Sequence, residues 1–416
     1  MKRILLLAPA TTYRAGAFLK AAHALRVDVV HGSDGPNLLS AMLPSRIVEL
    51  DFRNADLSAD RAAAFAKLNP IDAIVAVDDT TTVLGARVAA ELGLTANPVS
   101  AVRATRDKAL MRRLLAGYEA GDVAGGETPW FQTVSIDDNP RERFERVSYP
   151  IVMKPTLLSA SRGVIRANSL DESISAFHRI RRILAAPNVA GCGGASDQIL
   201  VEEFVPGIEV AVEALLWGGK LELLALFDKP DPLDGPFFEE TIYVTPSSLP
   251  GPVQSAIALQ TEREARRLGL REGPVHAELR LSPRGPVIIE IASRSIGGLC
   301  SQMLRFGAGM SLEEVILRQA LHLSLPTLDR ERGAEGVMMI PIPREGTLVA
   351  VRGREQALAV PGISDVIISI RVGERVVPLP EGSRYLGFIF ARAETPDRAV
   401  ALLREAHGRL AFDIVP

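Results

Sequence analysis

The sequence predicts an α/β domain followed by α+β domains, and three features of its pattern indicate this fold class. Residues 1–100 alternate short apolar runs with helical patterns, as expected for a parallel sheet with helices on its faces. Between residues 149 and 323, strand patterns dominate and occur in pairs. In residues 336–416, Gly and Pro separate further strand patterns. We therefore expect domains at 1–100, 101–330 and 331–416.

Length, charge and cysteine content limit the class of protein. The chain has 416 residues, too many for one ordinary hydrophobic core. Its net charge of −3 argues against a surface dedicated to nucleic acid or to acidic membranes. No segment approaches the ~20 apolar residues that a membrane span requires. Cys192 and Cys300 lie far apart, which argues against a disulfide framework or a cysteine zinc site and favours a cytoplasmic location.

The first domain is predicted to begin with a strand. The N-terminal run MKRILLLAPA imitates a signal peptide, but its apolar part is too short and an amphipathic stretch follows it. No GxGxxG motif follows this strand, so a dinucleotide site is not expected. The predicted strands are Arg3–Ala8, Val27–Val30, Ile47–Leu50 and Ala73–Val77, and the predicted helices are about 13–25, 59–68 and 80–92.

Paired strands characterise the central domain, and the glycine-containing segment Glu119–Glu127 precedes them. These strands are predicted at Pro150–Pro155, Val164–Ala167, Ile199–Phe204, Glu209–Leu216, Leu221–Phe227, Pro274–Leu281 and Val287–Ile291. The predicted C-terminal strands are Val337–Ile342, Leu348–Val351, Val366–Ile370 and Tyr385–Arg392. A helix is predicted to close the chain, because Thr395 supplies a hydroxyl cap and Pro396 suits the first helical position.

A predicted hairpin places two carboxylates opposite each other. If the loop Ser282–Pro286 joins its strands, Leu281 faces Val287 and Glu278 faces Glu290. Like charges directly opposite destabilise a sheet, so this register predicts a divalent cation between the two carboxylates. Mg²⁺ takes oxygen ligands of this kind, and Mn²⁺ is an alternative.

Arginine offers another partner for these carboxylates. Glu290 lies within an apolar run, and a buried charge normally has a cation beside it. That cation could be Arg294, a metal ion, or both. Glu278 could instead pair with Arg280 or Arg294 on a solvated strand face.

Anion-binding features surround a short apolar strand. The chain has no GxxxxGK[ST] motif, so a P-loop nucleotide site is not expected. Lys154 lies near the strand exit and precedes Leu157–Val164, whose small residues let backbone N–H groups approach an anion. Upstream, Arg106 and Lys108 open a helix. Each lysine alone could equally be a surface charge, and Gly191–Gly194 is predicted to be a flexible loop.

A crossover between two predicted strands has features of a site for adenine and ribose. One strand ends in Glu202 and Glu203, and the apolar pair Phe204-Val205 and a Pro-Gly turn follow. The backbone and a carboxylate there can contact adenine, while Glu209 is placed for the ribose hydroxyls. An ordinary β-hairpin with charged ends is the alternative.

Taken in order, these motifs resemble those of the ATP-grasp superfamily, from about residue 1 to 325. The resemblance implies a pre-ATP-grasp Rossmann-like domain, an ATP-grasp domain with a mobile lid at about 155–215, and a small C-terminal α+β domain. The Glu-x-Ala-x-Arg pattern at 290–294 is similar to that of dipeptide-forming L-amino-acid ligases, within the carbamoyl-phosphate-synthase-like ATP-grasp enzymes. The matching positions are Arg106–Lys108, Lys154 with Ser159–Gly163, Val201–Val205 with Gly207 and Glu209, and Glu278 with Glu290 and Arg294.

The resemblance implies a role for each matching residue. Arg294 would stabilise the transferred phosphoryl group and the acyl-phosphate. The residues implied in ATP binding are Lys108, Lys154, Ser159, Ser161, Gly163, Glu202, Glu203, Phe204, Val205 and Glu209. Those implied in Mg²⁺ binding are Glu278 and Glu290. Those implied in substrate binding are Glu239, Glu240, His276, Gly297 and Gly298.

Two positions depart from the family pattern. Ala292 stands where many ATP-grasp enzymes carry an Asn that binds metal, so one metal contact is missing or replaced. Glu203 stands where Lys is frequent, which changes the adenine contact expected there.

The connection Phe227–Pro246 is long and combines turn residues with aromatic and acidic ones. Connections of this length are usually functional or disordered. In the amino-acid ligases a comparable segment lines the substrate pocket, which implies that Glu239 or Glu240 meets a substrate amine. The alternative is an irregular surface loop.

The implied reaction joins a small-molecule carboxylate, on an amino acid, to an amine through an acyl-phosphate, with ATP converted to ADP. It requires positioning and charge neutralisation but no side-chain nucleophile. We expect a homodimer that binds neither nucleic acid nor membrane. The alternatives are a biotin-carboxylase-like enzyme, whose Arg-x-Gln-x-Glu-His pattern is not found at 294–299, a purine-synthesis type, and a non-catalytic ATP-binding protein.

Overall fold

The computed structural model describes residues 1–9, 12–34, 45–117, 128–190, 197–307 and 309–416. Glu119–Glu127, Gly191–Gly194 and Cys192 lie outside these ranges. Within them, no helix has the length and apolarity needed to cross a bilayer. The helices are α1 (Ala15–Ala24), α2 (Ala55–Leu68), α3 (Asp79–Glu91), α4 (Val99–Arg106), α5 (Lys108–Leu115), α6 (Pro140–Phe144), α7 (Leu170–Leu184), α8 (Pro187–Ala190), α9 (Gly251–Arg267), α10 (Leu312–Ala320), α11 (Arg354–Leu358) and α12 (Pro396–His407). The strands are β1 (Arg3–Leu7), β2 (Asp28–Ser33), β3 (Ile47–Glu49), β4 (Ala73–Ala76), β5 (Phe131–Ser135), β6 (Ile151–Pro155), β7 (Ile165–Ala167), β8 (Gln198–Glu203), β9 (Ile208–Trp217), β10 (Lys220–Asp228), β11 (Ile242–Thr245), β12 (Gly273–Ser282), β13 (Gly285–Ala292), β14 (Arg305–Phe306), β15 (Met310–Ser311), β16 (Ala334–Ile340), β17 (Gly346–Arg352), β18 (Ile363–Ile368), β19 (Arg375–Val376), β20 (Gly387–Ala393) and β21 (Ala411–Val415).

The N-terminal region is a four-stranded parallel sheet in the order β3-β2-β1-β4. Leu5 aligns with Val30 on one side of β1, and Leu6 aligns with Val75 on the other. β1 is buried along almost its whole length, as expected for a central strand covered on both faces. The predicted α/β fold is confirmed. Because α3 begins at Asp79 directly after β4, its first turn lies at the carboxyl edge of the sheet.

A second sheet, in the order β5-β8-β6-β7, is antiparallel and packs against α7. Phe177 and Ile180 of α7 share a buried core with Ile151 and Met153 of β6. The Ser169 hydroxyl caps α7 by accepting a backbone N–H of its first turn. β7, α7 and β8 lie within the segment 155–215 that is predicted to form the lid, and its motion stays a prediction.

The third sheet is antiparallel and has eight strands from the central and C-terminal parts of the chain. Their order is β13-β12-β9-β10-β11-β16-β20-β18. Strands β11 and β16 pair, with Tyr243 opposite Val337. This sheet therefore continues across the predicted domain boundary at residue 330. Helix α9 covers part of it, and Ile257 of this helix shares a buried core with Val275 of β12.

The turn between β12 and β13 differs from the prediction. Ser282 pairs with Gly285, so two residues, not five, connect the strands. Gly285, the first residue after this turn, adopts φ +107°, a backbone conformation that favours glycine. The predicted facing of Leu281 and Val287 is wrong, because Leu281 faces Pro286.

A β-bulge on β13 restores the carboxylate pairing. Leu279 faces Ile288, but the next residue back, Glu278, faces Glu290, so Ile289 is the extra residue. The predicted opposition of Glu278 and Glu290 is therefore confirmed, although the loop length used to predict it was wrong.

The C-terminal end also differs from the prediction. Helix α12 begins as expected, with the Thr395 hydroxyl accepting the Arg398 N–H at 3.3 Å and Pro396 in the first position. However, this helix is not the last element of the chain. Strand β21 follows it and pairs with β17, with Leu348 opposite Ile414.

Candidate active site

A cavity lies between the four-stranded antiparallel sheet and the eight-stranded sheet. The predicted site residues that line it are Lys108, Lys154, Ser161, Glu202, Glu203, Phe204, Val205, Glu209, Glu240, Glu278 and Glu290. The predicted residues outside its lining are Ser159, Gly163, Glu239, His276, Arg294, Gly297 and Gly298. The structure thus brings most of the predicted nucleotide and metal residues to one place.

Lys108 is held at the N-terminus of α5, which the Asp107 carboxylate caps. Its ammonium group donates to the Leu158 carbonyl at 2.6 Å and lies 3.1 Å from Oε1 of Glu290. Lys108 is buried, so the alternative of a surface charge is wrong. It connects the loop after β6 with one carboxylate of the predicted metal pair.

Glu202 is buried between two cations. Its Oε2 accepts from Lys154 Nζ at 2.6 Å, and its Oε1 accepts from Arg112. Arg112 also donates to the carbonyls of Ile288 at 3.0 Å and Ile289 at 3.3 Å. Burial would raise the pKa of Glu202, but Arg112 and Lys154 outweigh it and lower that pKa. The carboxylate thus holds two cations, and its predicted contact with adenine stays a prediction.

The loop between β6 and β7 has a left-handed backbone at Ala160 (φ +55°), Ser161 (φ +53°) and Gly163 (φ +74°). Ser161 lines the cavity, whereas Ser159 is exposed. The Gly163 N–H donates to the Pro380 carbonyl at 2.9 Å, and the predicted contact of Gly163 with ATP stays a prediction. This hydrogen bond joins the loop to the C-terminal region.

Phe204 lies at another part of the cavity wall, between two guanidinium groups. Arg166 lies 4.0 Å and Arg280 lies 4.8 Å from the centroid of its ring. Arg280 also donates to the Val205 carbonyl at 3.0 Å, so this carbonyl already has a partner. Glu203 pairs at 2.5 Å with an arginine of the β12–β13 turn.

Lys229 lies at the centre of a carboxylate cluster that the sequence did not predict. Its Nζ lies 2.8 Å from Glu209, 2.5 Å from Glu240 and 3.5 Å from Glu278. Burial would lower the pKa of Lys229, but these three carboxylates outweigh it and raise that pKa well above its ordinary value. Lys229 is therefore a cation at neutral pH. Glu240 also accepts from the Tyr243 hydroxyl at 2.6 Å.

The facing pair Glu278 and Glu290 suits a hard metal ion. Burial would raise the pKa of Glu278, but Lys229 and His276 outweigh it and lower that pKa to about 2. Carboxylate oxygens on adjacent strands are ligands that Mg²⁺ accepts, so these residues fit the ion. Ala292, where Asn is usual, is buried and faces His276 across the hairpin.

His276 lies behind the metal pair, not in the cavity. Its Nδ1 is 3.3 Å from the buried Glu213, and its Nε2 is 3.8 Å from Glu278. Glu213 also accepts the Ile296 N–H at 2.8 Å. The ring thus links Glu213 with Glu278, and the predicted substrate contact of His276 stays a prediction.

Arg294 pairs with the N-terminal region. Its guanidinium donates to Oδ2 of Asp79 at 2.9 Å, and Arg106 lies 3.4 Å from the other oxygen. Burial would raise the pKa of Asp79, but Arg294 and Arg106 outweigh it and hold that pKa well below its usual range. The cation beside Glu290 is thus Lys108, and Glu278 pairs with neither Arg280 nor Arg294 among the described contacts.

The remaining predicted substrate residues lie around the turn that follows β13. A β-carbon at Gly297 would meet no atom within 4 Å, whereas one at Gly298 would lie 3.1 Å from the Phe388 ring. Gly298 also has φ +61°, so this turn favours glycine. Burial raises the pKa of Glu239, whose carboxylate accepts the Ile342 N–H.

Sequence reasoning missed the partners of the predicted residues. Only Lys229 carried a local signal, a lysine directly after an apolar strand, as at Lys154. The missed residues are Asp79, Arg112, Glu213, Lys229 and Tyr243.

Comparison with known families agrees with this site. Residues 147–303 match the ATP-grasp domain, and residues 338–415 match L-amino acid ligase C-terminal domain 2. The chain therefore contains an ATP-grasp domain. The family assignment made from the sequence motifs is therefore confirmed.

Individual relatives of this ATP-grasp protein are distant. It is 25% identical to alanine–anticapsin ligase of Bacillus subtilis (strain 168) over 59% of this chain and 53% of that protein. It is 28% identical to carnosine synthase 1 of Homo sapiens over 77% of this chain and 40% of that protein. The chain thus spans about half or less of these two relatives. The structure of L-amino acid ligase from Bacillus licheniformis superposes with a TM-score of 0.81 at 23% identity, covering 100% of this chain and 99% of that one, which shows the same fold.

Proposed function

We propose that this ATP-grasp protein is an ADP-forming ligase that joins amino acids through an amide bond. The observation that carries the proposal is the cavity in which Lys108 and Lys154 lie with the facing carboxylates of Glu278 and Glu290. Relatives named alanine–anticapsin ligase, carnosine synthase and dapdiamide A synthase support amide formation on amino acids.

The proposed nucleotide site uses both walls of the cavity. Lys108, Lys154 and the Ser161 loop bind the phosphates, because two ammonium groups and nearby backbone N–H groups favour an anion. Glu209 binds the ribose, and the Phe204 end receives the adenine. Bound Mg²⁺ on Glu278 and Glu290 would neutralise phosphate charge. The segment 155–215 acts as a lid, and closure excludes water from a hydrolysable intermediate.

The proposed reaction has two steps. A substrate carboxylate oxygen attacks the γ-phosphorus of ATP, the bond to the bridging oxygen breaks, and ADP leaves. The amine nitrogen of a second substrate then attacks the acyl carbon, phosphate leaves, and the amine releases a proton. Asp79 holds the Arg294 guanidinium, which stabilises the negative charge of the acyl-phosphate.

Substrate amines are proposed to bind near Glu240. Its carboxylate lines the cavity beside the metal pair, whereas Glu239 lies outside the cavity lining. Of the two acids predicted for this role, Glu240 is therefore the better candidate. Gly297 leaves open space next to Arg294 for a substrate side chain.

Phosphate release with pooled amino acids tests the proposal. ATP, Mg²⁺ and the pool should give phosphate and ADP in equal amounts, and omission of single amino acids should then identify the pair. Glu290→Gln should abolish the release, while Glu222→Gln, at an exposed glutamate of β10, should not change it. ATP binding without phosphate release on any amino acid would contradict the ligase assignment.

A further inference from the structure

The cluster around Lys229 has the geometry of a cation site. Oxygen atoms of Glu209, Glu240 and Glu278 lie within 4.8 Å of one another, close enough to share one metal ion. They come from three different parts of the chain: β9, the connection before β11, and β12. The ammonium group of Lys229 lies at 2.5–3.5 Å from all three. A lysine thus stands where a metal ion could otherwise bind.

The surroundings of Lys229 suit an ammonium group better than a metal ion. The Tyr243 ring centroid lies 4.9 Å from Nζ, an arrangement that attracts a cation but gives a metal no ligand atom. The hydroxyl of Tyr243 donates to Glu240, which also fixes that carboxylate. Arg280 donates to the second oxygen of Glu209 at 3.0 Å. Two of the three carboxylates therefore have further donors that hold them around Lys229.

We propose that Lys229 is a positioning residue that acts as a built-in cation and keeps divalent ions out of the Glu209–Glu240–Glu278 cluster. A divalent ion is then restricted to the side of Glu278 that faces Glu290. Arg280 and Lys229 supply two positive charges against three carboxylates, so one negative charge remains for the ion at the facing pair. Without Lys229, the same three oxygens would attract a second ion away from the phosphates.

The inference rests on the proposed magnesium site, but its test counts ions and does not depend on ligase activity. We would measure Mn²⁺ bound per chain without nucleotide, from the paramagnetic resonance signal of free Mn²⁺, in the parent, Lys229→Met and Lys229→Arg. Lys229→Met should bind one more ion than the parent, whereas Lys229→Arg, which keeps the positive charge, should bind no additional ion. Lys229→Met with Glu240→Gln should return to the parent's number, since the cluster then has one charge less.

An equal number of ions in folded Lys229→Met and the parent would overturn the proposal, whatever the result of the ligase assay. If Lys229→Met does not fold alone, the yield of folded protein is measured by circular dichroism during refolding with and without Mn²⁺. Lys229→Gln, which keeps a hydrogen-bond donor, is treated in the same way. If Mn²⁺ restores the yield of folded protein, the proposal is supported. If Mn²⁺ raises the yield in neither variant, the proposal is overturned.

Discussion

The two walls of the cavity hold their charges in opposite ways. On the four-stranded sheet, the single carboxylate of Glu202 contacts two cations, Arg112 and Lys154. On the eight-stranded sheet, Lys229 contacts three carboxylates. The first arrangement has one surplus positive charge, which favours an anion such as a phosphate, whereas the second keeps surplus negative charge that a divalent ion can offset. We therefore propose that Glu202 positions Arg112 and Lys154, and that the carboxylates of the eight-stranded sheet hold the metal ion.

Arg294→Lys should have the largest effect on turnover, because it removes the guanidinium that we propose to stabilise the acyl-phosphate. The charge is kept, but the planar guanidinium that pairs with Asp79 is lost. We expect turnover to fall by about two to three orders of magnitude. Affinity for Mg-ATP should stay near that of the parent. Phosphate release with a confirmed substrate and calorimetry with a non-hydrolysable analogue measure the two quantities.

The matched control for this variant is Arg266→Lys on the exposed side of α9. It should leave both quantities unchanged. Full turnover in Arg294→Lys would mean that Arg294 serves only to pair with Asp79. The catalytic role that we propose for Arg294 would then be wrong.

Arg112→Met tests the arrangement on the four-stranded sheet. It leaves the buried Glu202 with Lys154 as its remaining cation, so we expect the free energy of unfolding to fall by about 3 kcal/mol. Arg284→Met breaks the half-exposed pair with Glu203 and should cost less than about 1 kcal/mol. Urea unfolding compares the two variants. Equal losses would show that burial does not distinguish these pairs.

Acid should weaken the contact between the N-terminal region and Arg294. The pKa of Asp79 is lowered in the folded protein, so its stabilising effect is complete above the ordinary value of 3.8. This effect is lost as the pH falls towards the lowered pKa. The difference in unfolding free energy between the parent and Asp79→Asn should therefore shrink between about pH 5 and about pH 2. If this difference does not change over the pH range, the pKa of Asp79 is not lowered by its pairing with Arg294.

Glu381→Gln should have the smallest effect. Glu381 accepts two hydrogen bonds from Arg179 of α7, at 2.6 and 2.8 Å, and both side chains are partly exposed. Loss of the pair should change stability by less than about 1 kcal/mol. Backbone hydrogen exchange in the Leu157–Gly163 loop should nevertheless become faster, because Glu381 is next to Pro380, whose carbonyl accepts the Gly163 N–H. Unchanged exchange would argue against a lid held by this region.

Local patterns were sufficient to predict most of the strands and to select many of the residues that line the cavity. Apolar runs placed β1 and β6 to within one or two residues, because the period of side-chain burial is read directly from neighbouring positions. The facing of Glu278 and Glu290 was predicted with the wrong loop. A turn shorter than expected and a one-residue bulge together produced the predicted register.

Long-range partners could not be predicted from local patterns. Arg112 and Glu202 are 90 positions apart, and Arg294 and Asp79 are 215 positions apart. Nothing in the sequence near Asp79 indicates that its helix begins beside Arg294. For the same reason, Lys229 was not recognised as the centre of three carboxylates from three parts of the chain.

We propose above all that Glu278 and Glu290 hold the metal ion that binds ATP. Its most direct test is calorimetry of a non-hydrolysable ATP analogue at low and at saturating Mg²⁺, in the parent, Glu290→Gln and Glu222→Gln. We predict that Mg²⁺ strengthens binding in the parent and in Glu222→Gln, and that this Mg²⁺ dependence is lost in Glu290→Gln. The same Mg²⁺ dependence in all three proteins would contradict the account.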